Sequence, residues 1–62
     1  MTKVWYAVDV DMNNDWGTGS YDYEEALRLA EVYAEGDTFD TVHIITVEEG
    51  NDPIAIEIEQ IK

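Results

Sequence analysis

Hydrophobic and polar positions alternate along the first part of the chain, and this period of two predicts a β-strand in "KVWYAVDVDM". Successive side chains of a strand point to opposite faces of its sheet. One set of alternate positions is apolar, and we expect it to face the core: Val4, Tyr6, Val8 and Val10. The other set begins apolar and ends acidic, and we expect it to face water or a partner: Trp5, Ala7, Asp9 and Asp11.

The pattern changes to a helical period in "YDYEEALRLAEVYAEG". Asp22 is predicted to be the N-cap, with Glu25 at the third helical position in a capping-box arrangement, and Ser20 is a competing cap. Gly36 is the expected stop. The apolar residues fall on one broad face: Tyr23, Ala26, Leu27, Leu29, Ala30, Tyr33 and Ala34.

Two more alternating stretches, "TVHIITVEE" and "IAIEIEQI", predict a hairpin that turns at Gly50-Asn51. In the first stretch, Val42 and Ile44 form one face, and the opposite face carries His43, Ile45 and Val47. In the second stretch we expect the isoleucines to point inward and the acids outward. The inward set is Ile54, Ile56 and Ile58, and the outward set is Glu57 and Glu59.

The predicted order of elements is β-α-β-β within a single domain, residues 1–62. The fold class is therefore α+β, with two layers and one helix packed on a three-stranded mixed sheet. A helix between the first two strands favours a right-handed parallel crossover, whereas the last two strands are antiparallel. Either the first and second strands are neighbours, or the third lies between them as in a split β-α-β unit. We favour the split order, because the third strand has the most regular row of isoleucines.

The charge of the chain is extreme, since 15 acidic residues against three Lys and Arg give a formal net charge of -12. Such a surface repels nucleic acid and anionic membrane and attracts basic partners and cations. No apolar run is long enough to span a membrane. The short apolar segment "VWYAV" does not have the pattern of a secretory signal, so a cytoplasmic location is the default expectation.

The segment "DVDMNNDWGTG" has the oxygen donors of a cation-binding loop but not the pattern of an EF-hand. Starting the loop at Asp9 or at Asp11 places Asn14 or Trp16 where a glycine should make the turn, and neither register supplies the bidentate Glu. We therefore predict no metal site of high affinity. Weak cation binding through the Asp9–Asp15 loop remains an alternative function.

Catalytic chemistry has little support in the sequence. His43 is the only histidine and Ser20 the only serine, and a helix-start position explains the serine. "GTGS" lacks the lysine of a phosphate-binding loop. We predict that the protein is not an enzyme and uses no cofactor.

The sheet face opposite the helix is the best candidate for function, because it should present an apolar patch with an acidic rim. It favours an interaction module that binds a protein with a basic or mixed surface, or a second copy of the chain. The predicted partner-binding residues are Trp5, Asp9, Asp11, His43, Ile45, Val47, Glu57, Glu59 and Ile61.

The alternative function is a nucleic-acid mimic that blocks a basic site. In general character, the short and very acidic chain resembles small phage or mobile-element proteins, including DNA-mimic inhibitors. That resemblance implies carboxylates placed at phosphate-like spacing, which would occupy a basic groove.

Overall fold

The computed structural model describes residues 3–62 as a two-layer α+β fold. Within them, four strands form one antiparallel sheet in the order β2-β1-β3-β4, and a single helix packs on β1, β2 and β3. The predicted α+β class is confirmed. In chain order the elements are β1 (Lys3–Val10), β2 (Gly19–Ser20), α1 (Tyr23–Ala34), β3 (Val42–Glu49) and β4 (Ile54–Gln60).

The prediction of a three-stranded mixed sheet is wrong, and the two-residue strand β2 is the reason. Gly19 and Ser20 pair antiparallel with Ala7 and Tyr6, so the chain has already run back along β1 before the helix begins. The helix then returns the chain to the far end of β1. Strand β3 consequently starts beside Val10 and runs antiparallel to β1.

The favoured split strand order is also wrong, because β1 and β3 are neighbours and β4 is the outermost strand. Strand β4 pairs only with β3 among the described strands, and all seven of its residues are exposed. The regular isoleucine row therefore does not mark a central strand. One irregularity in its pairing, opposite Thr46 and Val47, interrupts the alternation.

The helix begins as predicted but with a modified cap. The carboxylate of Asp22 accepts a hydrogen bond from the Glu24 amide at 2.9 Å. The Ser20 hydroxyl accepts the amide of Asp22 at 3.0 Å and donates to the Glu25 carboxylate at 2.8 Å. Ser20 thus stands between the two residues that a capping box would join directly.

The core between helix and sheet is built from small helical residues against branched sheet residues. Ala26 and Ala30 are fully buried, which lets the helix lie close to Val8, Val42 and Ile44. Partly buried side chains complete this core: Tyr6, Val10, Leu27, Leu29, Tyr33, Ala34, Phe39 and Ile61. The helix ends at Ala34, and Gly36 follows with φ of 73°, a conformation that favours glycine.

Candidate interaction surface

The sheet face opposite the helix is partly covered by the loop between β1 and β2. Trp16 in this loop packs, together with Trp5, on a second apolar cluster of Ala7, Ile45 and Val47. The Trp5 indole N–H donates to the Trp16 carbonyl oxygen at 2.8 Å and fastens the loop to the sheet. Ile45 and Val47 are buried as a result, so neither offers the exposed apolar surface that the sequence pattern indicated.

The loop is shaped by three residues with left-handed backbone conformations. Asp11, Met12 and Asn14 have φ angles of 54°, 57° and 58°. Asn and Asp tolerate this region, whereas it is uncommon for a residue such as Met. Met12 is 70% exposed, so the loop presents a large apolar side chain to solvent next to the sheet.

The loop carboxylates bind backbone amides of the protein itself. Asp9, which is buried, accepts the amide of Asp15 at 3.0 Å, and Asp15 accepts the amide of Gly17 at 2.9 Å. Asp11 accepts the amide of Asp40 at 2.7 Å and so joins the loop to the segment before β3. Among residues 3–62, no group of three or more acidic or histidine side chains is arranged to hold a metal ion.

Strand β4 extends beyond the elements that cover the rest of the sheet. Helix α1 packs on β1, β2 and β3. On the other face, Trp5 and Trp16 pack on Ala7, Ile45 and Val47, which belong to β1 and β3. Ile54, Ile56 and Ile58 are 57%, 55% and 64% exposed. Three large apolar side chains therefore line an outer strand whose outward backbone groups have no partner strand within residues 3–62.

The two faces of β4 differ in chemistry. Ile58 pairs with Ile45 and lies on the face away from the helix, because directly opposed residues of antiparallel strands share a face. Glu57 pairs with Thr46 and Glu59 with Ile44, which places both acids on the helix side. The prediction that these acids border the opposite face, with the isoleucines inward, is wrong.

Glu59 is held by the start of the helix. The Tyr23 hydroxyl donates to its carboxylate at 2.6 Å, and the ring of Tyr23 meets that of Tyr6 edge-on at 5.3 Å. This hydrogen bond to Glu59 raises the pKa of Tyr23, with smaller contributions from desolvation and from nearby carboxylates. The contact joins β4 to the helix through side chains alone.

A shallow pocket adjoins the exposed isoleucine on the face away from the helix. Asp9 and His43, which pair directly across β1 and β3, line it together with Ile58. The lining residues are Asp9, Met12, Asn14, His43, Ile45 and Ile58. The pocket thus combines a carboxylate with an apolar floor beside the outer strand.

The structure separates the predicted partner-binding residues into several groups. Asp9 and His43 come together, whereas Asp11 points to the segment before β3. Ile61 packs in the core on the helix side.

Sequence reasoning missed Met12, Trp16 and the outward position of Ile58. Trp16 had a signal, since a tryptophan in a polar turn needs an apolar surface to cover.

Comparison with known proteins finds no match for this chain among family models, curated proteins or solved structures. Within residues 3–62, no helix has the length and apolar character needed to cross a membrane.

Proposed function

We propose that the protein is a small acidic interaction module, not an enzyme, that binds a protein partner through the outer strand of its sheet. We name this site the β4 surface, and it comprises Ile54, Ile56, Glu57, Ile58 and Glu59. The observation that carries the proposal is the exposure of all three isoleucines on an edge strand. Full burial of one such side chain stabilises a complex by about 1.5–3 kcal/mol.

The edge position of β4 supports binding by strand addition. An extended partner segment placed beside β4 would pair with its outward N–H and C=O groups and become a fifth strand. Natural proteins often protect edges with charges and bulges, and β4 carries both, in Glu57 and Glu59 and in the irregular pairing opposite Thr46. These features oppose pairing with most strands, so a partner strand has to complement the two glutamates.

A complementary pattern is an alternation of apolar and basic residues. Apolar partner side chains would lie beside Ile58, and lysine or arginine side chains would lie on the other face beside Glu57 and Glu59. The net charge of -12 attracts a basic segment from a distance. A second copy of the chain fits less well, because it brings the same two glutamates and the same net charge against the edge.

The first test compares partner capture by three forms of the protein. The wild type, Ile58→Ser and Val32→Ser are immobilised at equal density and exposed to an extract of the source cells. Val32 is the matched control, since it is 58% exposed but lies on the helix. We expect Ile58→Ser to lose a protein that the wild type and Val32→Ser retain.

Other outcomes contradict the proposal. Loss of the partner from Val32→Ser but not from Ile58→Ser would place the interface on the helix. Binding that collapses with salt and is unaffected by Ile58→Ser would favour the nucleic-acid mimic, which needs only carboxylates. Sedimentation velocity of the purified chain checks for self-association. The cytoplasmic location stays a prediction.

A further inference from the structure

A second pocket, at the other end of the same sheet face, is lined by three aromatic side chains. Trp5, Trp16 and Tyr21 surround it, and Glu49 supplies a carboxylate. Val47 and Pro53 complete its lining, and its volume is about 310 Å³. Neither the isoleucines nor the glutamates of the β4 surface take part, so this pocket is a separate feature.

The aromatic side chains of the pocket are held in place by polar contacts. The rings of Trp5 and Tyr21 meet at 74° with centroids 4.7 Å apart, and thus form two walls of a corner. The indole of Trp5 donates to the Trp16 backbone, and the indole of Trp16 donates to Asn14 at 3.2 Å. The Glu49 carboxylate near the Tyr21 hydroxyl raises the pKa of that tyrosine. The site is therefore built before any ligand arrives.

The chemistry of this corner suits a cation. Aromatic faces carry negative electrostatic potential and attract positive groups, and a nearby carboxylate strengthens the attraction. The protein already shows this preference, because the Lys3 ammonium lies 5.5 Å from the centroid of the Tyr21 ring. The overall charge of -12 acts in the same direction.

The hydrogen-bond acceptors at the pocket narrow the type of cation. The Trp16 carbonyl accepts the Trp5 indole N–H, and Glu49 is the one charged residue of the lining. A primary ammonium has three N–H donors that need acceptors when it leaves water, and the lining offers mainly aromatic and apolar side chains with one carboxylate. A quaternary ammonium has no N–H group. It therefore gives up hydration, but no hydrogen bonds of its own, when it leaves water for an aromatic surface.

We infer that the pocket formed by Trp5, Trp16, Tyr21 and Glu49 binds a quaternary alkylammonium group, such as a trimethylammonium head. Its methyl groups contact the rings, and its charge is balanced by Glu49. This inference does not depend on strand addition at β4.

The chain contains a built-in probe for the test. Trp5 and Trp16 are its two tryptophans, and both line the pocket, so intrinsic fluorescence reports binding directly. We would titrate the protein with choline and, separately, with 3,3-dimethyl-1-butanol, a neutral molecule of the same shape, at ionic strength matched with sodium chloride. We expect a saturable change with choline and at least tenfold weaker binding of the neutral molecule. Equal responses, or none with choline, would overturn the inference.

Variants separate the pocket from general attraction of cations. Tyr21 is 54% exposed, so Tyr21→Leu should fold, and we expect it to bind choline at least fivefold more weakly. Tyr21→Phe retains the ring and should retain binding, whereas Glu49→Gln should weaken it. Ile58→Ser, which lies outside the pocket, should bind as the wild type does. Choline binding that survives Tyr21→Leu, with the fold verified by circular dichroism, would contradict the assignment.

Discussion

Ile45 and Ile58 are directly opposed across β3 and β4 and lie on the same face of the sheet, yet Ile45 is 5% exposed and Ile58 is 64% exposed. Trp16 and Trp5 pack on the buried cluster that contains Ile45, whereas Ile58 lies outside that cluster. The sheet is thus one strand wider than the layers that cover it, and the uncovered strand is the one on which the proposed function rests.

This difference predicts a large effect on stability at Ile45 and a small one at Ile58 for the same substitution. Ile45→Ala should lower the free energy of unfolding by about 2–5 kcal/mol, because it removes buried volume from a packed cluster. Ile58→Ala should change it by about 0.5 kcal/mol or less, as expected for an exposed side chain. Urea denaturation of both variants measures this. A large loss from Ile58→Ala would mean that β4 has a structural role in the isolated chain.

The close approach of β2 to β1 predicts that replacing Gly19 destabilises the protein. A Cβ on Gly19 would clash with the carbonyl oxygen of Tyr6 and lie 2.9 Å from the Cα of Ala7. Gly19→Ala should therefore destabilise the protein by about 1–3 kcal/mol, the cost typical of overpacking. Gly50→Ala is the control, since a Cβ there meets nothing within 4 Å. Equal thermal stability of the two variants would contradict the pairing of β2 with β1.

Divalent cations should stabilise the protein without selectivity. The carboxylates of Asp9, Asp11 and Asp15 accept backbone amides of the chain, so calcium and magnesium act mainly by screening acidic charge. A specific site would add roughly 2.7 kcal/mol at a hundredfold excess of ligand over its Kd. Thermal melts in calcium, in magnesium and in sodium chloride of equal ionic strength distinguish the two. A large shift in micromolar calcium alone, abolished by Asp11→Asn, would contradict this prediction and show a specific calcium site in the loop.

The contact between Tyr23 and Glu59 predicts a change in tyrosine titration. Because Glu59 raises the pKa of Tyr23, this phenol stays protonated in the folded protein at pH values where an unperturbed tyrosine ionises. The contact therefore stabilises the fold at neutral pH, and its contribution is lost as the pH rises through the raised pKa. Glu59→Gln should lower the pKa of Tyr23. The pKa of Tyr23 is measured by titrating the absorbance of phenolate, and Tyr23→Phe assigns the signal. An unchanged titration in Glu59→Gln would show that the hydrogen bond does not form.

Part of this fold could be predicted from the sequence, because local signals decide it. The cap at Asp22, the glycine at position 36 and the buried alanines all follow from residue type and helical spacing. The alternation in β1 and β3 correctly separated Val8, Val42 and Ile44 from the opposite face.

The errors come from features that the pattern does not encode. Two residues, Gly19 and Ser20, reverse the chain and convert an expected parallel pairing into an antiparallel one. In β4, the irregular pairing places Ile54 opposite Glu48 and Ile58 opposite Ile45, so the two isoleucines lie on different faces despite their regular spacing. Trp16 packs on Ile45 and Val47 from a distant segment of the chain, so these two residues are buried and do not form the exposed patch that was predicted.

The most direct measurement of the central claim is amide hydrogen exchange in β4 with a designed strand. Two peptides of identical composition are compared, one with alternating valine and lysine and one with the valines and lysines in separate blocks. Both carry the same positive charge toward the acidic protein, but only the alternating peptide can place valines beside Ile58 and lysines beside Glu57 and Glu59. We expect the alternating peptide alone to slow exchange between Ile54 and Gln60. Equal effects of the two peptides, or protection elsewhere in the chain with none in β4, would contradict the account.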